Sequence, residues 1–333
     1  MSNIIEVENL VKRFNGLTAV DSISFNVEEG EIFSLLGPNG AGKTTTINIL
    51  TTLLKPDGGK AYINGVDVAK EPNRIRNMVG VTFQELVLDS NLTVWESLEF
   101  HGRLYNIPKN ERRQKIKELL AVIGLEDKAK SLTKTLSGGM KRKLEIIRGL
   151  MNNPKILFLD EPSLGLDPQS RITIWEQIRK INHEGVTIFM TTHYMDEADT
   201  LSNRIAIMNR GKIAAIDNSE NLKSQLGKDL ILLRVAPDIK SKAVEILKGT
   251  GLLKDIKDTP SGLILSSTGK GSNTIPKLIK SLDEENIIVD SIELKRPTLD
   301  DVFLYYTGRD IKGGEDWMRN LTIMRRTGRL MGR

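Results

Sequence analysis

The sequence predicts an α/β fold, a mostly parallel sheet with an antiparallel β subdomain and a helical subdomain, followed by a small C-terminal α+β module of ferredoxin-like type. Three observations carry that reading. Short apolar runs at residues 32–36 and 156–159 stop abruptly at glycines or carboxylates, as strands buried on both faces do where they feed loops. Between them, residues 93–131 change to helical spacing. After Asp217 the rhythm becomes strand, helix, strand, strand, helix, strand.

Taken in order, residues 4–10 and 23–27 alternate apolar with polar side chains, and 32–36 is a continuous apolar run. Residues 61–68 (AYINGVDV) alternate around Asn64-Gly65, a strong hairpin pair. The first 80 residues therefore read as an antiparallel edge sheet attached to the start of a parallel core. In the helical insert, placed at about 85–150, Val94, Leu98 and Leu104 and then Ile116, Leu119, Leu120 and Ile123 recur at helical spacing. Pro108 separates the two stretches, and the charges of residues 111–117 (ERRQKIK) read as a solvated face. A helix is expected over 141–151. The parallel pattern returns at 156–159, then a helix over 169–183 and a strand over 186–190, an alternation that implies right-handed crossovers. In the C-terminal module strands are expected at 230–235, 253–258, 263–267 and 287–294, with helices at 241–248 and 273–282. The expected organisation is a larger α/β domain over 1–216, an accessory module over 217–310 and a basic tail over 311–333.

Length and composition narrow the function classes. At about 100–200 residues per domain, 333 residues imply two domains, with room for a third. With 39% hydrophobic and 27% charged residues the composition is that of a globular chain, not a disordered or collagenous one. The absence of cysteine excludes thiol catalysis, thiolate zinc sites and redox switching, and three histidines are too few for a histidine-based metal cluster. No apolar run approaches the roughly 18–20 residues that span a bilayer, and the first residues lack the layout of a secretory signal. The chain is therefore expected to be intracellular, with any membrane role exercised through a partner. Residues 309–333 hold seven basic and three acidic residues, +4 of the net +5, so the remaining body is nearly neutral. That balance argues against a nucleic-acid-binding surface.

The residues that carry chemistry begin at Gly37-Pro38-Asn39-Gly40-Ala41-Gly42-Lys43-Thr44, which fits G-x-x-x-x-G-K-[ST] and is followed by Thr45. Glycines let successive N–H groups converge on phosphate oxygens, and the helix that follows points its positive end at the same anion. Lys43 is then placed to reach the terminal phosphates and the Thr44 hydroxyl to ligate Mg²⁺. The run at 156–159 ends in Asp160-Glu161, putting Asp160 at the carboxyl edge of the sheet as a Mg²⁺ ligand and Glu161 where it orients or deprotonates a water. Ser137-Gly138-Gly139 reads both as the cap of the helix that follows and as an anion site at its N-terminus.

In this order along about 210 residues, the phosphate loop, Gln84 in VTFQE, LSGGM, LFLDEP, SLGLDP and His193 in TTHYMDEAD resemble the nucleotide-binding subunit of ATP-binding-cassette transporters. The resemblance implies a P-loop ATPase core with bound ATP and Mg²⁺. It implies that Phe14 stacks on adenine, where tyrosine is common, that Gln84 senses Mg²⁺ or the attacking water and relays occupancy to the helical insert, and that His193 contacts the γ-phosphate. Asp167 would organise the two sites of a dimer, and Ser137, Gly138 and Gly139 would reach the γ-phosphate bound by the opposite protomer. One chain holds one copy of each element, so two complete sites imply a head-to-tail dimer with ATP. Met140 stands where glutamine is frequent; the backbone donors remain.

LSGGM together with residues 299–303 (LDDVF) and Thr307-Gly308-Arg309 resembles the daunorubicin-resistance-type exporter subfamily. That implies a separate membrane permease of about six transmembrane helices, docked on residues 86–92, and a place at the cytoplasmic face of the cell membrane. Trp317, Leu321 and Met324 beside several arginines in the tail read as a membrane contact, a protein contact or an unstructured end. The rival readings are a soluble cassette ATPase that remodels a nucleic-acid or ribosomal partner, a P-loop nucleotide kinase and an importer subunit. The transported cargo is not written in this chain.

Overall fold

The computed structural model describes residues 2–227, 229–259 and 262–307, in two compact units, one over Met1–Ile216 and one from Asp217 onward. The tail and Gly308-Arg309, singled out above, lie outside the described residues.

The first unit opens with β1 (Asn3–Phe14), β2 (Leu17–Glu28) and β3 (Ile32–Leu36), then α1 (Lys43–Leu50), β4 (Gly58–Ile63), β5 (Val66–Asp67), α2 (Pro72–Met78) and β6 (Val79–Thr82). The helical subdomain follows with α3 (Val94–Leu104), α4 (Lys109–Ile123) and α5 (Gly138–Arg148). The chain returns through β7 (Ile156–Asp160), α6 (Pro168–His183), β8 (Thr187–Thr192), α7 (Met195–Leu201), β9 (Arg204–Asn209) and β10 (Lys212–Asp217). The expected antiparallel strands are not an edge of the parallel sheet. They form a separate four-stranded sheet, β2-β1-β4-β5, in which the hairpin at Asn64-Gly65 joins β4 to β5.

The central sheet has the order β10-β9-β3-β8-β7-β6, with β9, β3, β8, β7 and β6 parallel. β3, β7 and β8 are buried at every position, which explains why they read as unbroken apolar runs. Their side chains still alternate between two cores. Phe33, Phe158 and Phe189 face the core shared with the antiparallel sheet, whereas Leu157, Leu159, Ile188 and Met190 face the helical side. Phe25 of the antiparallel sheet stacks on Phe33 at 5.4 Å between centroids, and Phe189 lies 5.6 Å from Phe33 and 5.4 Å from Phe158. Each such ring contributes about 1.5–3 kcal/mol of burial, so this stack ties the two sheets together.

In the helical subdomain, α3 starts at a capping box in which Thr93 and Glu96 satisfy each other's backbone N–H groups, and α4 ends at Gly124 in the left-handed region. Val94, Leu98, Ile116, Leu119, Leu120 and Ile123 pack as the spacing predicts, whereas Leu104 at the end of α3 is exposed. The charged stretch 111–117 is not wholly solvated. Arg112 is buried against Gly102 of α3, where a Cβ would meet its Cδ at 2.6 Å, and pairs with Glu99 at 2.7 Å.

The second unit holds α8 (Ser219–Gln225), β11 (Leu230–Val235), α9 (Lys240–Gly249), β12 (Leu253–Thr259), β13 (Gly262–Ser267), α10 (Gly271–Asp283), β14 (Val289–Lys295) and α11 (Leu299–Thr307). Its antiparallel sheet, β12-β13-β11-β14, has the strand order of the ferredoxin-like type expected from the rhythm. Ile231, Leu233, Leu263 and Leu265 meet Leu247 of α9 and Leu278 of α10 in one core. Leu299, Val302 and Phe303 of the LDDVF segment are buried along α11.

Candidate functional site

Strand order builds the site. β3, β8 and β7 are parallel neighbours, so their carboxyl ends lie side by side at one edge of the sheet, the place where open α/β sheets bind ligands. β3 feeds the phosphate loop, β7 ends in Asp160 and Glu161, and β8 ends in Thr191 and Thr192 before His193.

The loop is held tightly against its surroundings. Gly37 donates its N–H to the Thr192 carbonyl at 3.1 Å, and a Cβ there would sit 2.3 Å from the Met208 carbonyl oxygen. Gly42, the residue before α1, has φ 108°, and a Cβ there would meet the Ala19 carbonyl oxygen at 2.3 Å. Gly37 therefore requires glycine for close approach, and Gly42 for close approach and backbone hand together. Lys43 is buried at the first turn of α1. Its ammonium donates to the carbonyls of Gly37 (2.8 Å) and Pro38 (3.2 Å) and lies 3.1 Å from Glu161 Oε1.

Asp160 and Glu161 diverge although adjacent. Asp160 Oδ1 accepts from the hydroxyls of Thr191 and, at 3.3 Å, Thr44. Burial raises its pKa above the usual carboxylate value, opposed by those two hydroxyls. Glu161 adopts φ 50°, an uncommon hand for a residue with a side chain, and its N–H is fixed by Thr191 at 3.1 Å to both the carbonyl and the hydroxyl. Its Oε2 meets His193 Nδ1 at 2.7 Å. Burial alone would raise the Glu161 pKa, but the His193 hydrogen bond and the Lys43 charge outweigh it, and the carboxyl is held below its ordinary value. Lys43, Thr44, Asp160, Glu161 and His193 thus form one bonded cluster.

Other expected residues stand outside that cluster. Phe14 ends β1 with an exposed ring under the Lys12 ammonium. Gln84 lies on the exposed segment after β6. Ser137 caps α5, its hydroxyl accepting from Met140 N–H at 3.3 Å. Asp167 caps α6, accepting from the Ser170 N–H and hydroxyl at 2.9 and 2.6 Å, contacts that hold its pKa low. Gly139 and Asp167 are near neighbours in space, since a Cβ on Gly139 would lie 3.0 Å from the Ser170 hydroxyl. Sequence reasoning missed Thr191, which touches both carboxylate positions. Its signal was the pairing of β7 with β8, where Asp160 and Thr191 share a register.

Asp160→Asn keeps the hydrogen-bond acceptor and removes a buried charge beside Glu161. It is expected to raise the Tm by about 2–4 °C in a thermal melt while lowering ATP turnover, the trade-off of a strained site.

The arrangement is that of a phosphate-loop nucleotide-hydrolysing core, and comparison with known proteins narrows it. Residues 20–164 match the family model described as ABC transporter. Over 308 residues the chain is 39% identical to the daunorubicin/doxorubicin resistance ATP-binding protein DrrA of Streptomyces peucetius, spanning 91% of this chain and 92% of that one. It is 34% identical to the linearmycin resistance ATP-binding protein LnrL of Bacillus subtilis, over 93% of this chain and all of that one. It is 36% identical to the Nod factor export ATP-binding protein I of Ralstonia nicotianae, over 93% and 95%. Among solved structures, cbiO1 of Clostridium perfringens aligns at a TM-score of 0.62 with 29% identity, over 66% of this chain and 89% of that one. A dimeric post-hydrolysis ATP-binding cassette bound to ADP and Pi aligns at 0.58 with 30% identity, over 64% and 98%. The chain belongs to the ABC transporter family, as an ATP-binding, ATP-hydrolysing subunit.

Proposed function

We propose that this chain drives an exporter by hydrolysing ATP, working as a pair of copies on a separate membrane permease of about six transmembrane helices. The observation that carries the reading is the bonded cluster of Lys43, Glu161 and His193 at the carboxyl ends of three adjacent strands. Among the described residues no helix is long and apolar enough to cross a membrane, which fits a subunit held at the cytoplasmic face of the cell membrane by its partner. DrrA, LnrL and the Nod factor protein are named for resistance or export, which supports export as the direction.

The residues divide the work. The backbone of residues 37–45 cradles the phosphates of ATP, with Lys43 neutralising the terminal ones and the exposed Phe14 ring stacking on adenine. Thr44 and Asp160 offer two hard oxygens 3.3 Å apart, a donor pair suited to Mg²⁺, which keeps its remaining positions for waters and phosphates. Gln84, on the segment after β6, would sense the ion or the attacking water. Held by Thr44 and Asp160, Mg²⁺ would supply positive charge that offsets the phosphates' own. Glu161 orients and deprotonates the attacking water, and His193 holds Glu161 and reaches the γ-phosphate. Ser137, Gly138, Gly139 and Asp167 lie together in each copy and complete the site of the other.

The permease docks on the segment after Gln84. Leu86 is 43% exposed and Val87 58%, whereas Leu88 packs on the helical core. The docking surface expected over residues 86–92 is therefore narrowed to Leu86 and Val87. Glutamate at both is expected to abolish recovery of the permease with the tagged chain while ATP affinity stays within about twofold. Unchanged recovery would remove this surface from the interface.

The whole reading is tested by capture of the tagged Glu161→Gln chain with ATP from gently solubilised native membranes. A stoichiometric multi-spanning partner is the expected result. Ribosomes or nucleic acid in its place would overturn the transport role.

A further inference from the structure

The segment carrying Gln84 has no regular structure, yet its backbone is gripped by one helix. Arg142 of α5 donates from Nη1 to the Phe83 carbonyl and from Nη2 to the Gln84 carbonyl, each at 2.7 Å. One turn on, Glu145 Oε1 accepts the Val87 N–H at 2.5 Å, and Arg148 donates to the Val87 carbonyl. Arg142 and Glu145 are buried and lie 3.5 Å apart, and Arg148 is 3.6 Å from Glu145. Four backbone groups of a loop whose side chains are exposed from Gln84 to Val87 are thus held by three side chains of a single helix. The same helix begins at Ser137-Gly138-Gly139 and is capped there.

A buried ion pair is a poor device for stability, because desolvation offsets its attraction and an apolar pair of similar volume does as well. What an apolar pair cannot do is hold carbonyls. The planar fork of arginine spans two successive ones, and the carboxylate both orients that fork and receives an N–H. α5 is eleven residues long, and Arg142 stands one turn, about 6 Å, beyond its glycine turn, so the grip on Gln84 is short and rigid.

We propose that Arg142 and Glu145 are positioning residues for ATP hydrolysis: they lock the Gln84 loop to the helix that starts at Ser137-Gly138-Gly139. Gln84 of one site and the glycine turn offered to the other site then move as one body. This rests on the ATPase reading above and adds a physical link between the two sites of a dimer.

The test is a double-mutant cycle in the full chain, with kcat, KM and ATP affinity measured for the wild type, Arg142→Lys, Gln84→Ala and the double variant. Lysine keeps the charge but replaces the two nitrogens of the planar fork with one, so the two carbonyls and Glu145 lose their separate donors. Arg142→Lys is expected to lower kcat about tenfold or more, with KM and ATP affinity within about twofold. In the Gln84→Ala background it should cost nothing further, because its effect runs through that residue. Additive losses, or an unchanged kcat, would overturn the proposal. If Arg142→Lys melts below the assay temperature, Glu145→Gln enters the same cycle with the same reading. A Gln84→Ala chain as fast as the wild type would remove both Gln84 and this inference, while Glu161→Gln reports separately on the hydrolytic site.

Discussion

Replacing Glu161 with glutamine is expected to slow ATP turnover by about two to four orders of magnitude while leaving ATP bound. The carboxylate is held from three sides: the backbone at φ 50°, Lys43 at 3.1 Å on one oxygen and His193 at 2.7 Å on the other. An amide keeps the shape but neither takes a proton nor carries the charge. It also ceases to compete with phosphate for the Lys43 ammonium, so affinity should hold or rise. With binding intact and turnover stopped, the ATP-bound dimer accumulates, which size-exclusion chromatography with and without ATP reads. Turnover at the wild-type rate would take Glu161 out of its role. The same variant carries a pH signature. Because the folded pKa of Glu161 lies below its ordinary value of 4.5, its ionised form stabilises the fold above that value. That contribution is lost as the pH falls through the depressed value. The Tm difference between wild type and variant should be full at neutral pH and vanish on acidification.

Lys43→Ala acts on the other side of the same contact. The ammonium is buried with three oxygen partners, Gly37 O, Pro38 O and Glu161 Oε1, all within 3.2 Å, so phosphate oxygens would replace partners already oriented toward it. Losing a charge-assisted contact of this kind costs about 1.5–3 kcal/mol, roughly a 10- to 100-fold loss of ATP affinity, and turnover should fall as well. Equilibrium titration with a fluorescent ATP analogue measures it. Unchanged affinity would contradict the assignment of residues 37–45 as the phosphate loop. The two variants therefore separate binding from chemistry: one loses affinity, the other only the reaction.

Much of the fold was legible because the central strands are buried on both faces and read as apolar runs, and because Gly-rich or acidic residues mark where each ends. The ferredoxin-like unit was legible from its rhythm alone. β6 was not, being four residues with a glycine, Gly80, whose Cβ would strike the Gly149 carbonyl. β9 and β10 likewise escaped, although Arg210-Gly211 between them has the positive φ angles of a tight hairpin turn. Arg112 misled in a different way, and Arg142 and Glu145 went unread. Charged residues on helices read as solvent-facing by default, and only the neighbours packed above them show that they are buried.

Local order thus determined the phosphate loop, the strand-end carboxylates, the helix caps at Ser137 and Asp167 and the run of elements, because each depends on backbone preferences and spacing over a few residues. Tertiary structure decided which of these groups meet. The order β3-β8-β7 sets a lysine from one strand's loop against a glutamate from another and a histidine from a third. It also turned three charged residues of α5 inward onto a loop that precedes them by about 60 positions. Strand order and burial are properties of the packed chain, set by which apolar faces can be covered at once, and no window of sequence contains them.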